Sequence, residues 1–241
     1  MSERKGTDVD AAALEKTAES LGFQVERHDN FNRKEIKKKL WEYSDMDHSD
    51  SDCFVCAILT HGGRDEVLYS HDDEMKVKHF TQCFEGDKCK SLGGKPKLFF
   101  VQVFYSTFIT KFNFFQQIRH ACRGDLLDYG TKIQQASGDM VDYNPPELQT
   151  CTIPVQADFL IAYATAPEHF AWRSERDGST FIQTLCSVLQ AHGREFDILK
   201  ILTRVNRMVA FNFESWTQNE AMNKKKQITS FTSQLTADLY F

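Results

Sequence analysis

Continuous runs of apolar residues alternate along the chain with segments in which apolar positions recur every three or four residues. The recurring pattern is typical of helices with one buried face, and the short continuous runs are typical of buried strands. A helix is predicted from Asp8 to the glycine at Gly22, and a second helix begins near Asn32. Further helices are predicted at residues 77–84, 179–192 and 196–209, buried strands at 53–59, 96–102 and 155–163, and an extended end at 228–241.

The alternation of strands with helices predicts the fold class. Strands separated by helices form a mostly parallel sheet with helices on both faces, an α/β three-layer sandwich. Residues 125–152 contain scattered Gly, Ser and Asp, a Pro-Pro pair and no apolar period, so a loop or linker is expected there. The length of 241 residues suffices for one sizeable domain or for two small ones.

Composition narrows the classes of function. The formal net charge of −5 argues against a nucleic-acid-binding protein, because such proteins usually present a basic face. The most apolar stretch, residues 97–115, is interrupted by polar residues, so no membrane span is predicted. No apolar segment follows the first five residues, and we expect a cytoplasmic protein without a secretory signal.

The seven cysteines lack the spacing of a disulfide framework, which favours free thiols in a reducing compartment. Cys53 and Cys56 form a Cys-x-x-Cys pair, a pattern compatible with a metal site or with redox chemistry. They lie inside an apolar run and no second pair stands at zinc spacing, so core cysteines are favoured over a metal site. We expect neither a metal nor another cofactor.

A histidine and a cysteine follow two of the predicted strands. His61 comes after the strand at 53–59 and precedes Gly62, while Cys122 comes after the strand at 96–102 and precedes an Arg-Gly pair. Catalytic groups in parallel sheets gather at the carboxyl ends of strands. A thiol becomes a nucleophile when an imidazole accepts its proton. By spacing alone, a structural histidine is the alternative.

Several segments resemble one family of proteases. The run Phe-Val-Cys-Ala-Ile-Leu-Thr-His-Gly that ends at Gly62 resembles the caspase histidine motif. Ala-Cys-Arg-Gly at 121–124 resembles the end of the known caspase cysteine motif, Gln-Ala-Cys-Arg-Gly. The resemblance implies a caspase-like fold and a cysteine endopeptidase that cleaves proteins after aspartate in apoptosis. Five further segments resemble executioner caspases in the family's order, namely 4–10, 94–102, 153–160, 201–207 and 239–241.

The resemblance also implies a role for each residue at a matching position. Cys122 attacks the scissile carbonyl, His61 moves the proton, and the backbone N–H groups of Gly62 and Cys122 hold the oxyanion. A guanidinium suits the recognition of the substrate aspartate because it pairs with a carboxylate through two charge-assisted hydrogen bonds. The implied substrate-binding residues are Arg4 and Arg173 for the aspartate, Gln102 as a further pocket residue, Phe170, Trp172 and Met222 for the next substrate position, and Trp216 for the outer wall.

The segment between the two predicted halves contains a candidate processing site. Asp139-Met-Val-Asp142 is an Asp-x-x-Asp sequence of the type that executioner caspases cut, so we expect cleavage after Asp142. Residues 1–142 then form a large subunit and residues 143–241 a small subunit. The resemblance implies a homodimer of such pairs. The alternative for this segment is an ordinary acidic loop.

An insertion interrupts the cysteine motif. In caspases Gln directly precedes Ala-Cys, whereas here residues 103–120 separate Gln102 from that pair. If the insert loops out and Gln102 stays in place, the substrate pocket survives. If the strand continues, Cys122 is displaced from His61, and catalytic geometry tolerates an error of only about 1 Å. A splicing error is another explanation of the insert.

Two other departures from the family also bear on function. The family has a sheet strand upstream of the Arg4 segment that this chain begins too late to include. Thr180 stands where executioner caspases have Trp, which weakens a strict preference for aspartate four residues before the cut. The rival hypothesis is an inactive caspase-like protein that regulates active caspases by dimerising with them. A nucleotide-binding protein is disfavoured because no glycine-rich phosphate loop follows an early strand.

Overall fold

The computed structural model describes residues 6–63, 66–105, 128–137, 147–167 and 169–241. Within these ranges, no helix is long and apolar enough to cross a membrane. The α-helices of the described ranges are α1 (Thr7–Ser20), α2 (Arg33–Asp45), α3 (Lys78–Thr81), α4 (Thr180–His192) and α5 (Ile198–Asn212). The strands are β1 (Phe54–Gly62), β2 (Val67–Tyr69), β3 (Glu74–Lys76), β4 (Lys97–Tyr105), β5 (Thr131–Ser137), β6 (Glu147–Ile153), β7 (Phe159–Tyr163), β8 (Arg173–Ser174), β9 (Gly178–Ser179) and β10 (Ser230–Ser233).

A six-stranded sheet forms the centre of the molecule, in the order β10–β7–β4–β1–β2–β3. The strands β7, β4 and β1 are parallel, whereas β10 and β2 run antiparallel to their neighbours. β1 pairs with β4 along its whole length, but with β2 only where Gly62 lies opposite Leu68. Among the described residues, no other strand lies beside this edge of β1. The strand is therefore less buried than its apolar sequence predicts, and Ala57 in its middle is exposed.

Helices cover both faces of the sheet and form two cores with it. Leu98 and Phe100 of β4 belong to the core formed with α1, α4 and α5. Phe99 and Val101 belong to the core formed with α2 and α3. Successive residues of a strand point to opposite faces, so each core receives every second residue of β4. This arrangement confirms the predicted three-layer α/β sandwich with a mostly parallel sheet.

Side-chain caps define where three of the helices begin. Asn32 and Glu35 form a capping box at α2, in which each side chain accepts the backbone N–H of the other residue at 2.8–2.9 Å. Asp197 and Ser179 accept backbone N–H groups at the first turns of α5 and α4. In contrast, α1 follows Gly6 without a side-chain cap, so it begins one residue before the predicted Asp8.

The prediction of a loop over residues 125–152 is wrong for much of its length. β5 and β6 pair antiparallel over seven residues each, from Thr131 opposite Ile153 to Ser137 opposite Glu147. They form a two-stranded ribbon that is separate from the central sheet. Because this ribbon is not an internal layer of the sandwich, its sequence lacks the apolar runs by which the buried strands were predicted.

Two of the predicted strands are shorter in the structure than in the prediction. β7 begins only at Phe159, because residues 155–158 form a turn in which Asp158 has φ of 65°. Of the predicted extended end at 228–241, only Ser230–Ser233 pairs as a strand. In both places the apolar pattern continues into residues that pack against the core without joining the sheet, as Leu235 and Leu239 do.

The Cys53–Cys56 pair lies at the beginning of β1. Burial raises the pKa of Cys53 to about 11 and that of Cys56 to about 12. Metals bind the thiolate form, which such pKa values disfavour at neutral pH. Cys56 packs against the core formed with α2 and α3. Among the described residues, no group of three His, Cys, Asp or Glu side chains is placed to hold a metal ion.

A buried lysine stabilises the beginning of β4. Lys97 is 1% exposed, and its ammonium group donates to the carbonyls of Leu92 at 3.1 Å and Lys95 at 2.8 Å. The same group lies 4.9 Å from the centre of the Phe159 ring. Burial lowers the pKa of Lys97 to about 8, although the charge of Asp158 opposes this effect.

The lowered pKa predicts that stability depends on pH. Between pH 8 and 10 the unfolded chain keeps the Lys97 proton while the folded chain releases it, so the free energy of unfolding should rise with pH. Relative to a Lys97→Met variant, we expect a gain of about 1–2 kcal/mol across this window. Urea unfolding at pH 8 and pH 10 measures it. Equal pH dependence in both proteins would contradict the prediction.

Candidate active site

The carboxyl ends of β1 and β4 bring two predicted site residues onto adjacent strands. His61 is the penultimate residue of β1, and Gln102 of β4 lies opposite Leu59. Leu59 and Phe100 contact the core with α1, α4 and α5. Since the side chains alternate along each strand, His61 and Gln102 lie on that same face of the sheet. Both residues are buried.

The amide of Gln102 is buried without a hydrogen-bond partner. Its side chain has no exposed surface, and neither Oε1 nor Nε2 has a partner among the described residues. An unsatisfied buried polar group costs about 1–3 kcal/mol, so native structures rarely retain one without a reason. In the carboxyl half of a parallel strand, such an amide is suited to binding a ligand.

β4 does not end at Gln102. It continues through Val103 to Tyr105, and Phe104 pairs opposite His61. The first three residues of the insert are β-branched or aromatic, and such residues favour a strand. The strand therefore continues three residues into the insert with Gln102 in place, and residues 106–120, on which the two alternatives differ, lie outside the described residues. Four residues assigned from the sequence lie outside the described residues, namely Arg4, Cys122, Asp139 and Asp142.

Gly62 permits the close approach of β4. A Cβ atom at Gly62 would lie 2.8 Å from Cβ of Val103, which is shorter than any ordinary carbon contact. A side chain at position 62 therefore has no room beside β4, and only glycine fits. Gly62 and the following Gly63 are both buried, so the two residues after His61 present backbone groups rather than side chains.

A groove of about 320 Å³ contains three of the predicted substrate-binding residues. Trp172, Arg173 and Trp216 line it, together with Phe213 and Thr180. The rings of Trp172 and Phe213 lie 6.1 Å apart, and Trp216 is 85% exposed. A large exposed aromatic side chain beside a groove is typical of a binding surface. The structure thus brings these three residues together.

Phe170 and Met222 do not line this groove. Phe170 is half-buried and lies two residues before Trp172. Met222 is half-buried at the end of a 3₁₀ turn, and its carbonyl accepts the hydroxyl of Ser215 at 2.7 Å. Ser215 also exchanges backbone hydrogen bonds with residues 224 and 225, and these bonds close the loop that presents Trp216.

Arg173 supplies positive charge to the groove. It begins β8 and pairs opposite Ser179 of β9 in a short hairpin. Burial lowers the pKa of the Arg173 guanidinium, while the charges of Asp10 and Glu175 raise it. Arginine stays protonated in proteins at neutral pH, so Arg173 is a cation that suits an acidic ligand group.

The sequence did not reveal Gln227, which holds the segment of Trp172. Its Oε1 accepts the backbone N–H of Trp172 at 2.8 Å, and its Nε2 donates to the carbonyl of Ala164 at 2.6 Å. The side chain is buried and ties the groove to the end of β7. Because Gln227 follows three lysines in a polar stretch, no sequence signal marks it as buried.

The chain is similar to known proteins along its whole length. A family model described as a caspase domain matches residues 1–240. Caspase-7 of Gallus gallus is 43% identical over 246 residues, which cover 100% of this chain and 72% of the relative. Caspase-3 of Mus musculus is 41% identical over 241 residues, which cover 100% and 78%. The crystal structure of caspase-1 from Spodoptera frugiperda matches with a TM-score of 0.78 at 39% identity, covering 100% of this chain and 82% of that chain.

These similarities decide between the two hypotheses of function. They extend over the regions of His61, Gln102, Arg173 and Trp216, and the curated relatives are executioner caspases. They do not favour the rival hypothesis of an inactive caspase-like regulator. The chain belongs to the caspase family and is an aspartate-specific cysteine endopeptidase of the executioner type that acts in apoptosis.

Proposed function

We propose that Cys122 is the nucleophile and His61 the general base of this endopeptidase. The register of β1 and β4 is the observation that supports the proposal most. In the uninterrupted motif the cysteine follows Gln by two residues. The position two residues after Gln102 lies opposite His61, on the face of the sheet to which His61 belongs. A cysteine at that position is next to the imidazole that accepts its proton.

The chemistry follows from these positions. His61 takes the thiol proton, and the Cys122 sulfur attacks the scissile carbonyl while the carbonyl π electrons move to oxygen. The N–H groups of Gly62 and Cys122 stabilise that oxyanion. The C–N bond then breaks, and His61 returns the proton to the leaving amine. Water, deprotonated by His61, attacks the thioester, and the acid product and the free thiol are released.

Two arginines and an amide form the proposed pocket for the substrate aspartate. Arg173 lies in the groove, and the buried Gln102 amide has no partner in the described part of the chain. A Cβ at Gly6 would lie 2.3 Å from the carbonyl oxygen of Ser174, so the chain two residues after Arg4 touches the Arg173 hairpin. This contact supports a joint role of the two arginines, which together offset the cost of burying the carboxylate.

Aromatic side chains extend the binding site along the substrate. Trp172, Phe213 and the exposed Trp216 line the groove. We assign Phe170 and Met222 a role beside them for the next substrate position. Thr180 lines the groove where a Trp is expected, so the outer pocket is wider and less selective for aspartate.

The insert separates Cys122 from the position that the mechanism needs. Phe104 stands opposite His61, because β4 continues past Gln102. Catalysis by the intact chain requires Cys122 to approach His61 by another path of the backbone. A displacement of about 1 Å from a productive geometry already costs about a hundredfold in rate.

Deleting residues 103–120 restores Gln-Ala-Cys-Arg-Gly and brings Cys122 to the position opposite His61. We therefore expect the deletion to raise kcat/KM for a fluorogenic tetrapeptide that ends in aspartate by at least ~100-fold. A Cys122→Ala substitution in the same deletion variant should reduce turnover to background. Purified proteins and a fluorescence assay suffice for both measurements.

The four combinations of deletion and substitution separate the possible outcomes. Equal turnover by the intact chain and the deletion variant would show that the insert is accommodated. Undiminished turnover in both Cys122→Ala proteins would contradict the assignment of the nucleophile. Thermal unfolding of each variant controls for a loss of the fold.

The proposed processing site lies between two paired strands. β5 ends at Ser137 opposite the beginning of β6 at Glu147, so residues 138–146 connect the two strands at one end of the ribbon. Connections of hairpins lie at protein surfaces and are frequent sites of proteolysis. This supports a zymogen whose cleavage after Asp142 yields a large subunit of residues 1–142 and a small subunit of residues 143–241.

Mutation of the processing site should keep the chain in one piece. In Asp142→Ala we expect loss of the fragments 1–142 and 143–241, which mass spectrometry of active material detects. Asp139→Ala should slow cleavage only modestly, because the outer pocket has Thr180 in place of Trp. An intact segment 139–143 in fully active wild-type protein would contradict the proposal.

The proposed assembly is a cytoplasmic homodimer of large and small subunit pairs. β10 is the outermost strand of the sheet and pairs only with β7 in the described part of the chain. A free strand edge is suited to pair with the same edge of a second copy across a two-fold axis. The substrates are then proteins with an aspartate at the cleavage site.

A further inference from the structure

A fully buried carboxylate lies beside the groove without a part in the proposed chemistry. Asp10 of α1 has no exposed surface. Its Oδ1 accepts the backbone N–H of Ser179 at 2.8 Å and the side-chain amide of Gln183 at 2.9 Å. Oδ2 has no hydrogen-bond partner among the described residues. A buried charge is costly, so its retention calls for a function or a compensating cation.

Both hydrogen bonds of Asp10 go to elements that frame the groove. Ser179 ends β9 opposite Arg173 and caps α4, while Gln183 lines the groove from α4. The adjacent Thr180 N–H donates to the carbonyl of Trp172 at 3.2 Å and closes the hairpin on that side. The N–H of Ser179 instead donates to the Asp10 carboxylate of α1. Asp10 thus attaches the hairpin of Arg173 to α1.

Two glycines allow α1 and the hairpin to approach closely. Gly178 has φ of 81°, and a Cβ there would lie 2.3 Å from Oδ1 of Asp10. Gly6 has φ of 82°, and a Cβ there would lie 2.3 Å from the carbonyl oxygen of Ser174. Both strands of the hairpin therefore contact the beginning of α1 at positions where a side chain has no room.

We propose that Asp10 is a positioning residue for substrate recognition, which holds the β8–β9 hairpin against α1 and so fixes Arg173 where the aspartate carboxylate of the substrate binds. This inference rests on the proposed function of Arg173. Asp10 acts through the backbone of Ser179 and does not touch the substrate. Burial lowers the pKa of the half-buried Arg173 guanidinium, and the negative charge of Asp10 opposes that lowering.

An Asp10→Asn substitution in the full-length chain tests the proposal. It keeps the size of the side chain but removes the charge, so the hydrogen bonds from Ser179 and Gln183 lose their charge-assisted strength and hold the hairpin less firmly. For a fluorogenic tetrapeptide ending in aspartate, we expect KM to rise about tenfold while kcat stays within about twofold, because Cys122 and His61 are untouched. Asp8→Asn is the matched control, since the Asp8 side chain lies in the same turn but is 90% exposed. Its KM should not change.

The outcomes separate this inference from the proposed function. Arg173→Lys in the same assay should raise KM, since the ammonium cannot pair with the carboxylate at two points. An unchanged KM there would overturn the role of Arg173 and the inference with it. A raised KM in Arg173→Lys but not in folded Asp10→Asn would overturn the positioning role alone, as would a loss of kcat at constant KM.

A second variant covers the case in which Asp10→Asn does not fold. In Gly178→Ala the new methyl carbon would lie 2.3 Å from Oδ1 of Asp10 and 2.7 Å from Nε2 of Gln183, so both side chains must shift and the Asp10 carboxylate is displaced from Ser179 without being removed. We expect the same rise in KM with little change in kcat. A Gly178→Ala protein with the wild-type KM would overturn the proposal.

Discussion

The parallel pairing of β1 with β4 sets the positions on which the active site depends. The register places Leu59 opposite Gln102 and His61 opposite the residue two positions later. Since side chains alternate along both strands, an imidazole, an amide and a residue two positions after Gln102 share one face. The two-residue step from Gln to Cys in the cysteine motif therefore corresponds to the step from the residue opposite Leu59 to the residue opposite His61. A shift of β4 by one residue would move all of its side chains to the other face.

The other half of the site depends on a different set of contacts. Arg173 lies on a two-residue strand that is too short to hold its own position, and α1 supports it through Gly6 and Asp10. Gln227 attaches the neighbouring Trp172 to the end of β7. Different contacts therefore hold the proposed catalytic residues at the sheet and the proposed recognition residues in the groove. Variants of the first set should alter kcat, and variants of the second set should alter KM.

Much of the fold could be predicted from the sequence, because α4, α5 and the buried strands have the apolar period that a layered core requires. His61 and Arg173 are assigned to the site through motifs. Asp10 and Gln227 were not, because their function depends on backbone groups distant in the chain, and a polar residue in a polar stretch gives no sign of burial. The β5–β6 ribbon escaped prediction because it lies outside the layers of the sandwich.

The sequence leaves open how the chain continues after Gln102, and the structure shows the path of β4 as far as Tyr105. The motif requires the cysteine two residues after Gln102, whereas the strand-favouring residues Val103 to Tyr105 permit the strand to continue without it. The sequence alone is compatible both with an insert that loops out and with a strand that continues. The pairing of Phe104 with His61 establishes that the strand continues. On the proposed mechanism, the insert limits how fast this chain turns over substrate.

Identifying the alkylated residue tests most directly whether Cys122 is the nucleophile activated by His61. A peptidyl fluoromethyl ketone that ends in aspartate transfers its ketomethyl group to a reactive thiolate with loss of fluoride, and peptide mass spectrometry locates the adduct. In the variant that lacks residues 103–120, we expect an adduct on Cys122 alone, formed much more slowly when His61→Ala is added. An adduct on another cysteine, or equal labelling of Cys122 without His61, would contradict this account.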